Sequence, residues 1–516
     1  MIKIRAWTNR KTGDTMIKGE DIHRYIKTGE SQYVEFKRAE HKFPKSALET
    51  ICAFSNSNGG VLLLGIDEDK GEIAGVTDSK KIISEVFNHM NNTNEINRNV
   101  LSLEDVYVVD VEGKEVVVIE VDAVKFTNKP IYLKNNPAKT YIRQGEGDYL
   151  ADEDILQMMY RDASRESADS KLLEDYTLED LDVNTIREYR GLWKKIHPFH
   201  PFNNLETKEF LKKINVLKTN RKSNKECLTL AGLLVFGKHE SIKEYLPHYN
   251  VEYIRKSIES LGSSYDDRLI YDGTWGEDNL YNFFFNTFNK IILTINDSSK
   301  ISTDSLLRTS TSKMKIAIRE ALVNSIIHCD FLSPKGIQVI RYSDKIVFEN
   351  GGGLRISIQD FFAGGCSEPR NYYIQEIFRL VNICEKAGTG IPKIMEAVKE
   401  YTLRFPDITQ EIDYFRFILW DMSILEYLEV SNDTERKIVE YIIKNKWCLR
   451  LEIEKELDIA KSTAIKYLNK LIEKNILLTK RNGRHTLYMF NDQREGFEKY
   501  HIINHMYSLI EEFKRQ

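Results

Sequence analysis

The sequence predicts a multi-domain α+β protein, and three observations lead to this fold class. The chain has 516 residues, which is far more than one hydrophobic core usually serves. Short apolar strands and amphipathic helices follow one another without an internal repeat. After residue 431 the pattern changes to compact, basic helices followed by a hairpin. We therefore expect domains at residues 1–160, 161–265, 266–430 and 431–490, and a last helix at 491–516.

Charge and cysteine content exclude several classes of protein. The net charge of -4 gives no overall basic surface, so any nucleic-acid surface must be local. No apolar run approaches the ~20 residues of a membrane helix, and the N-terminus lacks the apolar core of a signal peptide. The 6 cysteines include no Cys-x-x-Cys pair, which disfavours zinc and disulfide frameworks. The composition predicts a cytoplasmic protein without a membrane partner.

The first predicted strand, 33–37, carries charged side chains on one face. Because side chains alternate along a strand, Val34 and Phe36 point to one side. Glu35 and Lys37 point to the other, so a carboxylate and an ammonium stand side by side on an otherwise apolar element. One interpretation of this pattern is a solvated strand face that is closed by the ion pair.

Two further carboxylates are candidates to join Glu35. Glu30 lies at the turn that enters the first strand, and Asp67 follows a second apolar strand, 60–66. If the two strands end near each other, these three side chains form a cluster, with Asp69 as the reserve for the third position. Such a cluster could hold Mg²⁺ or Mn²⁺, because hard divalent cations prefer oxygen ligands. A metal site is therefore the second interpretation of this region.

The rest of the N-terminal domain is predicted to mix helices and strands. Helices are expected at 44–55 and 80–90, a hairpin at 106–121, and a strand running into a glycine loop at 141–147. Basic side chains near the acidic cluster would supply positive potential for a phosphate backbone. These residues are Lys37, Arg38, Lys42 and Arg143.

The N-terminal elements resemble the Schlafen AlbA-like domain over about residues 20–155. The motifs that carry the resemblance are Glu-x-x-x-x-Glu-Phe-Lys from Glu30, Ala53–Asn56 with Gly59-Gly60, Gly65–Asp67, and Tyr141–Gly145. The resemblance implies nucleic-acid binding, and Schlafen ribonucleases cleave tRNA or rRNA with three acidic residues and a metal. Carried over, Glu30, Glu35 and Asp67 would be the ligands, and Lys37 would contact the scissile phosphate. A fold kept for binding without catalysis is the alternative.

The middle of the chain combines a connector with a candidate nucleotide site. Residues 161–225 are predicted to be mostly helical and charged, and the apolar run 228–236 is predicted to be a strand. There is no Gly-x-x-x-x-Gly-Lys-Ser/Thr motif, which argues against a P-loop ATPase. Instead, Glu320 and Asn324 lie four residues apart and share one face of a predicted helix. Glycine motifs follow at 350–353 and 388–390.

Over about residues 300–420 this order of motifs resembles the GHKL ATPase fold. The resemblance implies that Asn324 coordinates Mg²⁺ and that Glu320 polarises the attacking water. The residues that would let the backbone approach ATP are Gly351, Gly353, Gly388 and Gly390.

One position departs from the GHKL pattern. GHKL proteins read the adenine amino group with an aspartate, and here Glu349 or Asn350 occupies that place. Asparagine can still accept a hydrogen bond, and glutamate is one methylene longer. ATP binding is therefore expected, and hydrolysis is left open. A domain that has lost its ligand is the alternative.

The C-terminal elements follow the order of a winged helix-turn-helix. Residues 432–490 contain 13 Lys and Arg against 8 Asp and Glu, so this segment is basic in a chain that is acidic overall. The expected contacts to nucleic acid are Ser462, Thr463 and Lys466 on the recognition helix and Arg481 and Arg484 on the wing. A winged helix that binds another protein is the alternative.

Together these patterns favour a nucleic-acid-binding protein that is controlled by ATP. The first hypothesis is a metal-dependent endonuclease that acts on tRNA-like RNA, with a role in antiviral defence by analogy. The rival is a non-enzymatic, ATP-responsive transcriptional regulator that binds duplex DNA. The GHKL and winged-helix resemblances both imply a homodimer or a higher homo-oligomer.

Overall fold

The computed structural model describes most of the chain. The described residues are 16–257, 265–295, 313–384, 388–401, 403–430, 432–445, 447–482 and 485–491. The predicted wing residue Arg484 lies outside them, and so does all but the first residue of the predicted C-terminal helix, 491–516. No helix in the described ranges is long and apolar enough to cross a membrane.

The N-terminal unit is a four-stranded sheet between helices. Its elements are α1 (Gly19–Thr28), β1 (Val34–Lys37), α2 (Ser46–Asn56), β2 (Gly60–Leu64), β3 (Ile66–Asp67), β4 (Glu72–Ile73), α3 (Ser79–Met90), β5 (Val106–Val111), β6 (Lys114–Val121), β7 (Tyr141–Gln144), β8 (Gly147–Leu150) and α4 (Glu153–Ala163). The strand order is β1-β2-β6-β5, and only the β1–β2 pair is parallel. The pairs β3–β4 and β7–β8 stand apart from this sheet as small antiparallel ladders.

The two faces of the sheet bury different side chains, as strand alternation requires. Val34 and Phe36 join the cluster that contains Tyr25 of α1. Leu62 and Leu64 of β2 join the cluster on the α2 and α3 side. Since Glu35 is in register with Leu62 and Lys37 with Leu64, both charged side chains of β1 face α2.

The second unit contains three short strands where the sequence predicts one longer strand. Its elements are β9 (Leu172–Leu173), α5 (Val183–Ile196), α6 (Thr207–Lys213), β10 (Leu217–Thr219), β11 (Glu226–Thr229), α7 (Leu230–Phe236) and α8 (His239–Tyr245). The strand predicted at 228–236 is wrong, because β11 ends at Thr229 and the remaining apolar run forms α7. The Thr229 hydroxyl accepts a hydrogen bond from the Gly232 N–H at 3.0 Å and caps this helix. Every residue of α7 is buried, so hydrophobic periodicity could not separate helix from strand.

The third unit is built on a six-stranded mixed sheet. Its elements are β12 (Val251–Arg255), β13 (Asp267–Leu269), α9 (Leu280–Ile292), α10 (Lys313–Ile327), β14 (Ile337–Arg341), β15 (Lys345–Gly351), α11 (Ile358–Ala363), α12 (Tyr372–Leu380), α13 (Gly390–Glu400), β16 (Asp407–Gln410), β17 (Tyr414–Trp420) and α14 (Ile424–Tyr427). The strand order is β13-β12-β14-β15-β17-β16. Because β12 pairs with β14, the boundary expected at residue 265 divides this sheet and is wrong. One hydrophobic core runs through the second and third units.

The C-terminal unit has its own small core. Its elements are α15 (Asp433–Asn445), β18 (Trp447–Leu449), α16 (Arg450–Glu456), α17 (Lys461–Glu473), β19 (Leu477–Asn482) and β20 (His485–Phe490). The three strands form an antiparallel sheet in the order β18-β20-β19. Ile424 and Leu428 of α14 pack into the same core. The sequence order of three helices and a hairpin is therefore present, with one additional short strand.

The N-terminal unit lies directly against the third unit. Ile412, in the turn between β16 and β17, packs on the small cluster that contains Ile142 and Ile155. At the end of α4, Arg161 forms an ion pair with Asp330 at 2.8 Å. The neighbouring Asp162 accepts hydrogen bonds from two arginines of the third unit. These contacts place the charged face of β1 and the glycine motifs of the third unit in one continuous body.

Candidate functional sites

Glu35 is the centre of a buried ion network at the end of β1. The side chain is enclosed by the sheet and α2, and the residue is only 7% exposed. One carboxylate oxygen accepts from Lys37 Nζ at 2.7 Å and the other from Arg143 Nη2 at 2.8 Å. Arg143 also donates to Asp148 at 2.9 Å, and Asp148 accepts from the Thr50 hydroxyl at 2.7 Å. Both oxygens of Glu35 are thus already engaged by cations.

Glu30 lies close to this network and has an unusual acidity. Its Oε1 accepts from the Phe36 N–H at 2.8 Å, which fixes the turn before β1. Burial is the largest effect and raises the pKa of Glu30. The hydrogen bond from Phe36 and the charge of Lys37 lower it, whereas the charges of Glu35 and Glu68 raise it. The net result is a raised pKa. Glu30 therefore keeps a proton to higher pH than an ordinary glutamate.

The structure does not bring the three predicted metal ligands together. The Asp67 carboxylate accepts from the Lys70 N–H at 3.1 Å and faces Arg38 at 3.5 Å. The acid that reaches the network is Glu68, whose carboxylate lies 3.1 Å from Lys37 Nζ. The reserve candidate, Asp69, is exposed. In the described part of the chain, no group of three or more His, Cys, Asp or Glu side chains could hold a metal ion.

A resident metal therefore does not fit the residues as they are arranged. Carboxylates are suitable ligands for Mg²⁺ or Mn²⁺, but the Lys37 ammonium occupies the space between Glu35 and Glu68. The position of the Asp67 side chain has a local cause. β3 ends at Asp67, and the following turn directs this side chain towards Arg38. The register at which a strand turns cannot be derived from spacing alone, and a shift of one residue exchanges the side that a residue faces.

The candidate nucleotide pocket lies between β15, α10 and α13. Its wall includes the predicted residues Asn324, Asn350, Gly353, Gly388 and Gly390. Gly390 is packed so tightly that an added Cβ would lie 3.1 Å from the Glu320 carboxylate and 3.2 Å from the Asn324 amide. The absence of a side chain at this glycine leaves the two polar groups facing a backbone cradle.

The structure also distinguishes between the two adenine-reading candidates. Asn350 is buried and lines the pocket together with Phe348. Glu349 points to the other face of β15, where it accepts from Arg416 Nε at 2.6 Å. The Asn350 amide nitrogen donates to the Gly351 carbonyl at 3.0 Å, which directs its amide towards the glycine turn. Of these two residues, Asn350 is therefore the one that faces the pocket.

Glu320 is buried but not isolated. Its Oε1 accepts from Arg319 Nη2 at 2.9 Å, and Lys393 Nζ lies 3.7 Å away. Gly388 has a φ of 85°, a conformation that favours glycine, and Gly351 would clash with the Lys335 carbonyl if it carried a Cβ. Gly388, which lines the pocket, and Gly351, which does not, thus both have structural reasons for the absence of a side chain.

Two arginines that sequence reasoning missed connect this pocket to the N-terminal unit. Arg355 lines the pocket and donates to Asp162 through Nε at 3.1 Å and through Nη2. Arg370 donates to both carboxylate oxygens of Asp162, at 3.0 and 2.8 Å. Burial opposes ionisation of Asp162, but the two guanidinium groups outweigh it and hold the pKa below its usual value. The available signal was only an Arg-Asp dipeptide at the end of a predicted helix.

His328 lines the same pocket and is held in its neutral form. Desolvation, reinforced by the charges of Arg370 and Arg355, lowers the pKa of His328 to about 3. In the unfolded chain the pKa is about 6.5, so the unfolded state binds the proton more readily below that pH. The stabilising contribution is complete above pH 6.5 and is lost as the pH falls towards 3.

We expect the free energy of locally unfolding α10 to decrease by up to about 2 kcal/mol when the pH is lowered from 7 to 5. Replacing His328 with glutamine should remove this dependence, because glutamine does not titrate. Hydrogen exchange of the α10 amides at the two pH values, corrected for intrinsic rates, measures the effect. His23→Gln serves as the control, since its ring is 48% exposed. Equal pH dependence in wild type and His328→Gln would contradict the assignment.

The basic residues of the C-terminal unit lie on an accessible surface. Ser462 and Lys466 are exposed on the first turns of α17, and Thr463 is partly exposed beside them. Arg481 is exposed on β19. In the N-terminal unit, by contrast, Arg143 is 8% exposed and occupied by the Glu35 network. The predicted contact at Arg143 is thus structural in this conformation, whereas Arg38 and Lys42 remain at the surface.

Three segments of the chain match family models. Residues 157–252 match a domain of unknown function, DUF8451. Residues 30–152 match the model described as Schlafen, AlbA_2, and residues 335–419 match the model described as putative ATP-dependent DNA helicase recG C-terminal. No curated protein matches the chain.

Among solved structures, two similar chains match different shares of the molecule. The crystal structure of the DIP2311 protein from Corynebacterium diphtheriae has 16% identity and a TM-score of 0.39, with 89% of this chain and 79% of that chain covered. The solution NMR structure of the N-terminal domain of a putative ATP-dependent DNA helicase RecG-related protein from Nitrosomonas europaea has 28% identity and a TM-score of 0.20. That match covers 27% of this chain and 97% of the other. The chain therefore carries a Schlafen AlbA_2-type domain in its N-terminal unit and a domain similar to the RecG C-terminal region in its third unit.

Proposed function

We propose that this protein binds nucleic acid and that an adenine nucleotide in the third unit controls the binding. The observation that carries the proposal is the position of Arg355. This arginine lines the candidate nucleotide pocket and also holds Asp162, on the helix α4 that follows the segment matched by the AlbA_2 model. The descriptions of the matching families, Schlafen and putative ATP-dependent DNA helicase recG, support a role with nucleic acid.

The C-terminal unit supplies one of the proposed nucleic-acid surfaces. Its element order supports a winged helix-turn-helix, with α17 as the recognition helix and the β19–β20 hairpin as the wing. The exposed Lys466 and Arg481 are placed to neutralise phosphates, while Ser462 and Thr463 stand at the helix start. Such a unit can recognise duplex DNA, as the regulator hypothesis requires, or structured RNA. We also propose that the protein forms a homodimer, because GHKL and winged-helix proteins, which it resembles, do so.

The third unit supplies the proposed nucleotide site of GHKL type. A carboxylate oxygen of Glu320 and the amide group of Asn324 lie beside Gly390, with the Asn324 nitrogen nearer than its oxygen, so the amide would have to turn to offer Mg²⁺ the oxygen ligand that this ion prefers. Asn324 would hold Mg²⁺ when ATP is bound, and the ion would neutralise the phosphate charge. Asn350 is placed to hydrogen-bond the base edge, and Phe348 lines the wall beside it.

The proposed control acts through competition for Arg355. The phosphates of a bound nucleotide and the Asp162 carboxylate are both anions that a guanidinium can bind bidentately. If Arg355 turns to the nucleotide, the N-terminal unit loses one of the two arginines that hold α4. Nucleotide binding and nucleic-acid binding are then coupled, and by linkage each changes the other by the same factor.

Asp162→Asn should increase nucleotide affinity about fivefold to tenfold and weaken the effect of ATP on nucleic-acid binding. The variant keeps the size of the side chain but removes the charge that competes for Arg355. Titration calorimetry with ATP and Mg²⁺, and fluorescence anisotropy of labelled RNA and DNA with and without ATP, measure the two effects.

The matched control is Asp330→Asn. It removes the other ion pair between the same two units, with Arg161, but leaves Arg355 engaged. Equal nucleotide affinity in the two variants would show that the competition does not exist. Absence of nucleic-acid binding in wild type would remove the proposed function itself.

An RNA endonuclease that acts on tRNA-like substrates, with a role in defence, is the second candidate. Glu30 favours it, because groups with a raised pKa beside a lysine often serve as catalytic acids. Glu30 could donate a proton to the leaving oxygen, and Lys37 could hold the scissile phosphate. No step is assigned to a metal, since the carboxylates are occupied by cations.

The nuclease candidate predicts that Glu30→Gln reduces tRNA cleavage by on the order of 100-fold, the usual size of a lost general acid. Cleavage of tRNA and of single-stranded DNA is measured with and without Mn²⁺ and ATP. Glu20→Gln is the control, because Glu20 is exposed on α1. If wild type cleaves neither substrate, the nuclease candidate fails and the non-enzymatic regulator remains.

A further inference from the structure

A second cavity lies between the N-terminal unit and the third unit, next to the candidate nucleotide pocket. Its volume is about 310 Å³, which reaches the lower range of sites for small organic molecules. One wall comes from the loop after α2, from β7 and from α4, and the other from the segments 353–354 and 410–413. No family match assigns a ligand to this space.

The charges around the cavity cancel. Three cationic and three acidic side chains line it: Lys129, Arg143, Arg370, Asp162, Glu411 and Asp413. Most of the cations are engaged, since Arg370 holds Asp162 and Arg143 holds Glu35. A polyanion such as a nucleoside triphosphate would therefore meet little net attraction here.

Lys129 differs from the other two cations of the cavity. Its ammonium donates to the backbone carbonyls of Asn56 and Ser57 rather than to a carboxylate. Desolvation lowers the pKa of Lys129 to about 8 and the charge of Asp162 opposes this effect, so the side chain is still mainly protonated near neutral pH. It can accept one phosphate at the edge of the cavity.

Two buried polar atoms of the cavity residues have no hydrogen-bond partner within the described residues. One is Arg143 Nε, a donor from the N-terminal unit, and the other is Gln410 Oε1, an acceptor from the third unit. Buried groups without partners cost free energy and usually find one in a ligand or in water. Both atoms are enclosed by protein, so a ligand in the cavity meets them only when the two side chains turn, and such a ligand should present both an acceptor and a donor.

Part of the remaining wall is apolar, and the polar side chains of Gln32, Asn56, Ser57, Asn58 and Gln144 line the rest of it. Phe126, Met158, Met159 and Leu354 line the cavity between its polar edges. Aromatic rings and thioethers make favourable contacts with the faces of planar rings. A nucleobase combines planar faces with donors and acceptors along one edge, which is how unpaired bases are read in single strands.

We infer that this cavity binds one unpaired nucleotide of a single strand, with the base between the apolar walls and its phosphate at Lys129. The inference rests on the proposed nucleic-acid binding and adds its site and its preference for an extruded base. Gly353 and Leu354 line both this cavity and the candidate ATP pocket. The bound base therefore contacts the segment that an adenine nucleotide would touch from the other side.

The test uses the full chain and a short single strand that carries one aminopurine base analogue. Fluorescence of the analogue reports base burial, and anisotropy of an end label reports strand binding. Gln410→Leu should weaken binding on the order of tenfold and abolish the change in analogue fluorescence. Lys129→Met should weaken binding of the strand but leave binding of the free aminopurine nucleoside, which has no phosphate, unchanged. The free aminopurine nucleoside monophosphate, tested alongside, shows whether the cavity takes a mononucleotide as well as a strand.

Gln157→Leu is the matched control, because the same substitution there falls on an exposed position of α4. The inference is overturned if Gln410→Leu and Gln157→Leu both behave like wild type. It is also overturned, with the proposed function intact, if the strand binds by anisotropy and the analogue fluorescence never changes. If no strand binds at all, the proposed function and this inference fail together.

Discussion

Replacing Glu35 with alanine is expected to lower the free energy of locally unfolding β1 and β7 by about 3 kcal/mol. The substitution breaks a buried ion pair and leaves the cationic partners without their carboxylate. Arg143 would keep Asp148 but lose its bond to Glu35 at 2.8 Å, and Lys37 would keep only Glu68. The desolvation of the two cations is then compensated less completely. Hydrogen exchange of the β1 and β7 amides in the full chain measures this local stability without assuming that the whole protein unfolds in one step.

The sign of the change separates two interpretations of this site. An empty metal site gathers carboxylates that repel one another, so removing one would stabilise the protein. A neutralised ion network does the opposite. Glu40→Ala is the control: its ion pair with Arg38 lies at the surface, where pairs contribute about 0–1 kcal/mol. Stabilisation by Glu35→Ala would favour the interpretation as a three-carboxylate metal site and would support the nuclease candidate.

Local patterns in the sequence were sufficient for some of these features. Alternation along β1 predicted that Glu35 and Lys37 share a face, and their charged atoms lie 2.7 Å apart. Helical spacing placed Glu320 and Asn324 together, and both approach Gly390 in the structure. These predictions depend on the geometry of a single element, which the residue period determines directly.

Other features depend on how chain segments meet, and the sequence carries little signal for them. The acid near Lys37 is Glu68 instead of Asp67 because a two-residue strand turns at that point. Asp162 and Arg355 are 193 residues apart along the chain, so no spacing rule relates them. The buried helix α7 was mistaken for a strand because apolar residues on all sides erase the periodicity.

The nucleotide site leads to the second large effect. At an ATP concentration about 100 times the dissociation constant, bound nucleotide should stabilise the third unit by about 2.7 kcal/mol. Asn324→Ala should lose most of this stabilisation, because it removes the oxygen proposed to hold Mg²⁺ next to the Gly390 cradle. A thermal shift with ATP and Mg²⁺, repeated with ATP and a chelator, measures the effect and its dependence on the metal.

The control for this experiment is Asn289→Ala, which makes the same substitution at an exposed position of α9. It should keep the full ATP response. If Asn324→Ala keeps it as well, Asn324 has no part in metal binding and the proposed GHKL-type site loses its metal ligand. If Asn324→Ala loses the ATP response while Asp162→Asn binds ATP more tightly, the ATP bound in the pocket competes with the interdomain ion pair. That pair of results would place nucleotide control at Arg355, since Arg355 lines the pocket and also holds Asp162.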